Sequence, residues 1–232
     1  MSIASSQVAS SKARTGFLSG VGLGLALVLL GWWLVPAASP LSAGAAGLIL
    51  VIYGLAGYFG IPRMSPVTVR LVGIFGGLAG LVFAAEIVLE YVFLPKDNTV
   101  WGYVEFGTVF VLFFIAGMLA AYQSGRIRQG LLTGVGSAML SSLIWLIVVL
   151  LMFYIFRGSA RQMQVFLAEG DYADFARSGM KDFNTFIMED FFGAGFYHLL
   201  LVPVLAAILA GLGSSFGKRL ARVRARKAGS HD

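Results

Sequence analysis

The sequence predicts an all-α polytopic transmembrane bundle of six spans, and three observations carry that prediction. First, the 232 residues are 58% hydrophobic and only 12% charged, with a mean hydropathy of +0.85. A soluble domain is roughly 45–50% apolar and about 25% charged. Second, the apolar residues gather in six stretches of at least 20 residues. That is the length needed to cross a hydrocarbon core of about 30 Å at about 1.5 Å per residue. Third, prolines stand between the early stretches, where a helix has to stop.

The first span, 16–35, follows Lys12 and Arg14 and ends at Pro36. Its apolar run exceeds the roughly 7–15 residues of a secretory signal, and a second span follows at once, so a retained helix is expected. The second span, 42–61, lies between Pro40 and Pro62, and the third, 69–94, between Pro66 and Pro95. Proline lacks the backbone donor and disfavours helix in the residue before it, so these connections read as turns. Connections this short make consecutive helices antiparallel neighbours. The fourth span is 100–122, the fifth 130–156 and the sixth 191–217. Residues 1–217 then form one transmembrane domain, followed by a basic tail, 218–232.

The one long connection, 158–190, differs in composition. It holds six of the eleven acids, with Phe166, Phe175, Phe183 and Phe186. Met163, Phe166 and Leu167 share a helical face, as do Tyr172, Phe175 and Ala176. Gly170 and Gly179 suit helix ends, and Asp171 suits the cap of a second helix. Short amphipathic helices at the membrane interface are expected, or a small lid over the bundle.

Lysine and arginine set the orientation. With the N-terminus inside, the inner segments carry twelve of the seventeen basic residues and the outer segments five, namely Lys96, Arg157, Arg161, Arg177 and Lys181. Both termini are therefore expected on the cytoplasmic side of a cell membrane, that of a prokaryote. Six of the inner charges fall between positions 218 and 227. Beside an apolar span such a run marks topology and meets anionic lipid headgroups; nucleic acid is not an expected partner.

An internal repeat is visible. Residues 14–22 read RTGFLSGVG and residues 128–136 read RQGLLTGVG, identical at six of nine positions. Residues 70–80, RLVGIFGGLAG, are a looser relative. All three open odd-numbered spans, which points to three helical hairpins in parallel orientation. The glycines give the repeat a physical reading. Gly16, Gly20 and Gly24 form a stripe on the first span, Gly73, Gly77 and Gly80 on the third, and Gly130, Gly134, Ala138 and Ser141 on the fifth. Lipid supplies no hydrophobic drive for helix association, so small residues that let backbones approach are the expected packing seams.

Charged groups inside hydrocarbon cost at least about 2.5–3.5 kcal/mol at mid-span, so each requires an explanation. Four candidates share a depth in the outer half of the bilayer. Glu86 and Glu90 lie four apart on one face of the third span. Glu105 is near the outer end of the fourth, and His198 is about two turns into the sixth. One reading is structural, with the acids reaching the interface or hydrogen-bonded and the histidine packed. A second is a proton or cation pathway. A third is a metal site of carboxylates and one histidine. A lone intramembrane histidine also suits an axial ligand to a pigment or haem.

No chemistry-bearing motif accompanies them. GSSFGK at 213–218 is too short for a phosphate loop, and no dinucleotide, zinc-protease or serine-nucleophile motif is present. The repeated Pro-x-acid-x-x-basic signature of mitochondrial carriers is missing, and the absence of cysteine excludes disulfides and thiolate sites. No cofactor is expected. The sequence alone favours a non-enzymatic structural, assembly or accessory subunit, with a membrane partner or a second copy of itself. The alternative is a small transporter or channel for protons or cations that uses the intramembrane glutamates.

Overall fold

A computed structural model describes residues 3–93 and 99–228. Pro95 and Lys96, at the expected end of the third span, lie outside the described residues, as does 229–232 of the tail. The described chain forms eight α-helices and one 3-10 turn: α1 Ile3–Leu34, α2 Pro40–Gly60, the turn Ile61–Arg63, α3 Pro66–Phe93, α4 Thr99–Ser124, α5 Ile127–Ile155, α6 Ala160–Glu169, α7 Asp171–Ser178 and α8 Phe183–Ala228. Helices α1–α5 and α8 are long and apolar enough to cross a membrane, and the chain is a multi-pass membrane protein. Successive spans alternate in direction. The bundle therefore has a loop face, which carries α6 and α7, and an opposite tail face.

Local chemistry sets the element ends. Pro40 opens α2, where a missing N–H costs nothing, and the Ser39 hydroxyl accepts from the Leu41 amide at 3.1 Å. Pro66 opens α3 in the same way. Helix α8 differs from the expected sixth span. It starts at Phe183, runs through Pro203 and continues past position 217 into the basic tail as one 46-residue helix. Its cap is Asp182, which accepts from the Thr185 amide at 2.7 Å and hydroxyl at 2.6 Å. Pro203 has no N–H to give the Leu199 carbonyl one turn earlier, and an orphan carbonyl is costly where no water reaches. The Tyr53 hydroxyl on α2 supplies the donor, at 2.5 Å from Leu199 O.

Helix α5 is the centre of the bundle and packs on α1, α3, α4 and α8. Its stripe Gly130, Gly134, Ala138 and Ser141 is buried as expected. A Cβ at Gly130 would meet Ser214 and the Gly117 carbonyl, and one at Gly134 would meet Ala210. From the α8 side, Gly213 and Gly217 face the backbone carbonyls of Phe114 and Met118 on α4. Ser214 packs against Gly130 of α5 and links α8 to α4, its hydroxyl donating to Ala210 O of its own helix at 2.5 Å and reaching Gly117 O at 3.3 Å.

Elsewhere the packing departs from expectation. Consecutive spans are not all neighbours: α2 and α3 scarcely touch, because the proline-bounded turn 61–65 carries the chain past α1 and α3 packs on α5 and α4 instead. The hairpins α1–α2, α3–α4 and α5–α8 each touch, yet the most extensive contacts run between hairpins, α4 on α8 and α3 on α5. The glycine stripe that α3 uses is Gly76 and Gly80, which face Ser137, Leu140 and Ile144 of α5; Gly73 and Gly77 have nothing near them. On α1, Gly20 and Gly24 meet the side chains of Leu143 and Leu50, and Gly16 is open.

On the loop face, α6 and α7 form the short amphipathic pair. Gly170 at φ 86° and Gly179 at φ 72° end them in the left-handed region. Gly170 is also the residue before α7, so Asp171 sits in its first turn and does not cap it. The buried face of α6 is Gln162, Val165 and Phe166, with Met163 and Leu167 turned outward. Gln162 decides that rotation. Its amide donates to Phe153 O at 3.0 Å and its carbonyl accepts from the Gly158 amide at 2.8 Å, which pins α6 to the end of α5.

Candidate functional site

Near the loop face, α3 and α4 part to leave a cleft of about 570 Å³. Six residues of α3 line it (Val82, Ala85, Glu86, Leu89, Glu90 and Phe93) with Trp101, Val104, Glu105 and Thr108 of α4. Both sets have the i, i+3, i+4, i+7 spacing of a single helical face. The three glutamates of the sequence cluster are thus together, on facing helices. Thr108 is satisfied within its own helix, its hydroxyl donating to Val104 O at 2.7 Å.

The carboxylates are not equivalent. Glu105 is only 6% exposed, and neither of its oxygens has a hydrogen-bond partner among the described residues. The Glu86 side chain is its neighbour across the cleft, without a hydrogen bond of ordinary geometry between them. Glu86 and Glu90 are half-buried. Glu90 in turn feels the charges of Glu169, at the end of α6, and Asp171, at the start of α7. A line of acids therefore runs from buried Glu105 through Glu86 and Glu90 to the loop face. At its outer end, burial and the Glu86 charge push the Glu169 carboxyl above the usual range. Burial, then Asp190 and Glu169, push Asp171 up to about 6. Both shifts follow from gathering like charges where water is scarce.

His198 is not part of this cleft. Its ring stacks on Trp145, with centroids 4.1 Å apart and planes 12° apart, and meets the edge of Phe83 at 4.8 Å. Its Nε2 is buried without a hydrogen-bond partner among the described residues. The Ser142 hydroxyl reaches the His198 carbonyl at 3.5 Å. The histidine is thus held in an aromatic slot between α3, α5 and α8. Among the described residues, no three His, Asp or Glu side chains are grouped so as to hold a metal ion.

Sequence reasoning missed the apolar wall of the cleft and its continuation to Glu169 and Asp171. A signal for the wall was present. The i, i+3, i+4, i+7 set that starts at Glu86 brings in Leu89, Glu90 and Phe93, and the same set around Glu105 brings in Trp101, Val104 and Thr108. Comparison with known proteins finds no matching family model, curated protein or solved structure.

Proposed function

We propose that this membrane protein carries or conducts a cation, and that Glu86, Glu90 and Glu105 bind it. The observation that carries this reading is Glu105, buried and unpaired on the wall of a ligand-sized cleft. A carboxylate in a low-dielectric site needs a counter-charge, either a proton or a cation. A purely structural subunit gives no reason to bury Glu105 without a hydrogen-bond partner among the described residues on the wall of open space. The acids leading outward to Glu169 and Asp171 draw cations toward the loop-face end of the cleft.

The twelve-to-five bias of basic residues favours a cytoplasmic tail face in a plasma membrane. Lys218, Arg219, Arg222 and Arg224 would then lie where anionic headgroups are, and the cleft would lie in the outer leaflet. Because the chain has no cysteine, a single Phe175→Cys tests this: it should react with an impermeant thiol reagent in intact cells, and reaction only after permeabilisation reverses the orientation.

For function, the protein is reconstituted in liposomes and proton and monovalent-cation flux is followed with internal dyes. Flux should fall about tenfold or more in Glu105→Gln, with size-exclusion profile and thermal stability retained. Flux equal to wild type in both Glu105→Gln and Glu86→Gln rejects the reading and returns the chain to the accessory-subunit class.

A further inference from the structure

We infer that the cation taken by the α3–α4 cleft is organic, a monovalent cation carried on an apolar body, and that it enters sideways from the lipid. This rests on the cation reading above and names its substrate class. Hard inorganic cations require about six or more oxygen ligands around them. The cleft offers carboxylates from both of its helices amid otherwise mostly apolar side chains, and no three acid or histidine side chains among the described residues converge on one point. Such a wall cannot replace the hydration shell of a small ion, but it matches a ligand that is apolar over most of its surface.

The size agrees. About 570 Å³ falls within the roughly 300–1,000 Å³ of small-molecule sites. The aromatic wall agrees as well, since Trp101 and Phe93 line the cleft and aromatic rings attract a cation, most strongly where water is excluded. Glu105 is the group that fixes the charge sign, being 94% buried by its 6% exposure and unpaired among the described residues. The entrance follows from exposure along the flank. Phe93 is 71% exposed, Trp101 60% and Val104 54%, and all three line the cleft on the outward flank of the spans α3 and α4. An opening edged by exposed apolar side chains favours a lipophilic cation over a hydrated ion.

The probe is tetraphenylphosphonium, measured by equilibrium dialysis against the full-length protein in phosphatidylglycerol nanodiscs. Saturable binding of one cation per chain is expected, weakened about tenfold or more by Glu105→Gln. Ala85→Trp fills the cleft without removing a charge and should weaken binding equally, so it decides the matter if Glu105→Gln fails to fold. Leu48→Ala, on the exposed face of α2, is the control. Tetraphenylborate, of the same shape and opposite charge, should not compete. Absence of saturable binding, binding unchanged in Ala85→Trp, or equal competition by tetraphenylborate overturns the inference. So does loss of the probe when phosphatidylethanolamine is added to the discs, which would assign the cleft to a lipid amine. Glu105-dependent proton or sodium flux without probe binding overturns the organic substrate alone and leaves the proposed function standing. Glu105-dependent probe binding without flux supports the site and removes transport.

Discussion

The nonapeptides at 14–22 and 128–136 share six of nine residues, yet the fold uses them in opposite ways. In α5, Thr133 and Gly134 are buried and Gly130, Gly134 and Gly136 all face other helices. In α1, Ser19 is exposed, Gly16 and Gly22 face nothing, and Gly20 touches only the tip of Leu143. The partners make the difference. Against α5, α8 presents Ala206, Ala210 and Ser214, four residues apart, so both backbones can close. Against α1 stand Leu50 and Leu143, whose branched ends fill the space that the glycines leave. A glycine stripe therefore permits close approach, and a second stripe of small residues on the partner is what brings it about.

The largest effect expected from this contrast is at Gly134. Gly134→Leu drives a side chain into Ala210, against a helix fixed on two sides, and should cost about 3 kcal/mol or more. Gly20→Leu has to displace only Leu143, whose Cδ2 lies 3.1 Å from the position of the new Cβ, and should cost about 1 kcal/mol or less. Leu29→Ala, 60% exposed, should be silent. Thermal unfolding in mild detergent ranks the three. Equal losses at positions 20 and 134 would mean that the two copies are packed alike, and the contrast would fail. Ala210→Leu approaches the same contact from α8 and should match Gly134→Leu.

The same contrast explains what was legible in the sequence. Span positions, proline-bounded turns, the amphipathic pair α6–α7 and the α5 stripe depend on residues close together in the chain, and they could be read. Which of two stripes α3 would use could not. Glycines at 73, 76, 77 and 80 offer two helical faces, and only the presence of Ser137 and Leu140 on α5 selects Gly76 and Gly80. The departure of α3 from α2 is likewise a property of the partner. At the site, Glu86, Glu90 and Glu105 stood out because ionisable groups in apolar spans are rare. The cleft did not, because Val82, Leu89 and Val104 look like any lipid-facing residues. That His198 does not line it depends on how α8 is rotated against Trp145 and Phe83, which spacing along one helix does not encode.

If α1 and α2 lack a backbone seam, they have to be held by something else, and two tyrosines are in place to do it. Tyr53 Oη donates to Leu199 O at 2.5 Å, and Tyr154 Oη donates to Leu27 O at 2.7 Å. The first bond answers the donor missing at Pro203. Tyr53→Phe leaves that carbonyl unsatisfied in a dry interior and should cost about 1–3 kcal/mol, an effect between those of Gly134→Leu and Gly20→Leu. Adding Pro203→Ala restores the helical N–H, so the double variant should recover much of the loss. No recovery in thermal unfolding would show that the hydroxyl stabilises α2 by some route other than the Leu199 carbonyl.

The smallest effect sharpens the comparison by acting on one region only. The α4–α5–α8 seam is built from glycine, alanine and serine, with nothing to titrate. The loop face holds Asp171 against Asp190 and Glu169, with its carboxyl raised from 3.8 to about 6. The sign follows from which state holds the proton. A carboxyl raised in the folded state binds a proton there that the unfolded chain has already released. Local stability is therefore undiminished below about 3.8, falls as pH rises, and is lowest once pH passes about 6. The position of Asp171 in the first turn of α7 favours its charge, but burial and the two neighbouring acids outweigh that. Amide hydrogen exchange in α6 and α7, corrected for intrinsic rates, should thus speed up modestly between about pH 4 and pH 6.5. Asp171→Asn should flatten that rise, while amides of α5 around Gly134 stay slow throughout. Asp182, whose carboxyl is held below its usual range by Thr185, acts only at the acid end and in the opposite direction, so it cannot imitate the trend. An unchanged slope in Asp171→Asn would move the origin of the pH dependence elsewhere on the loop face; a matching slope in α5 would end the distinction between the two regions.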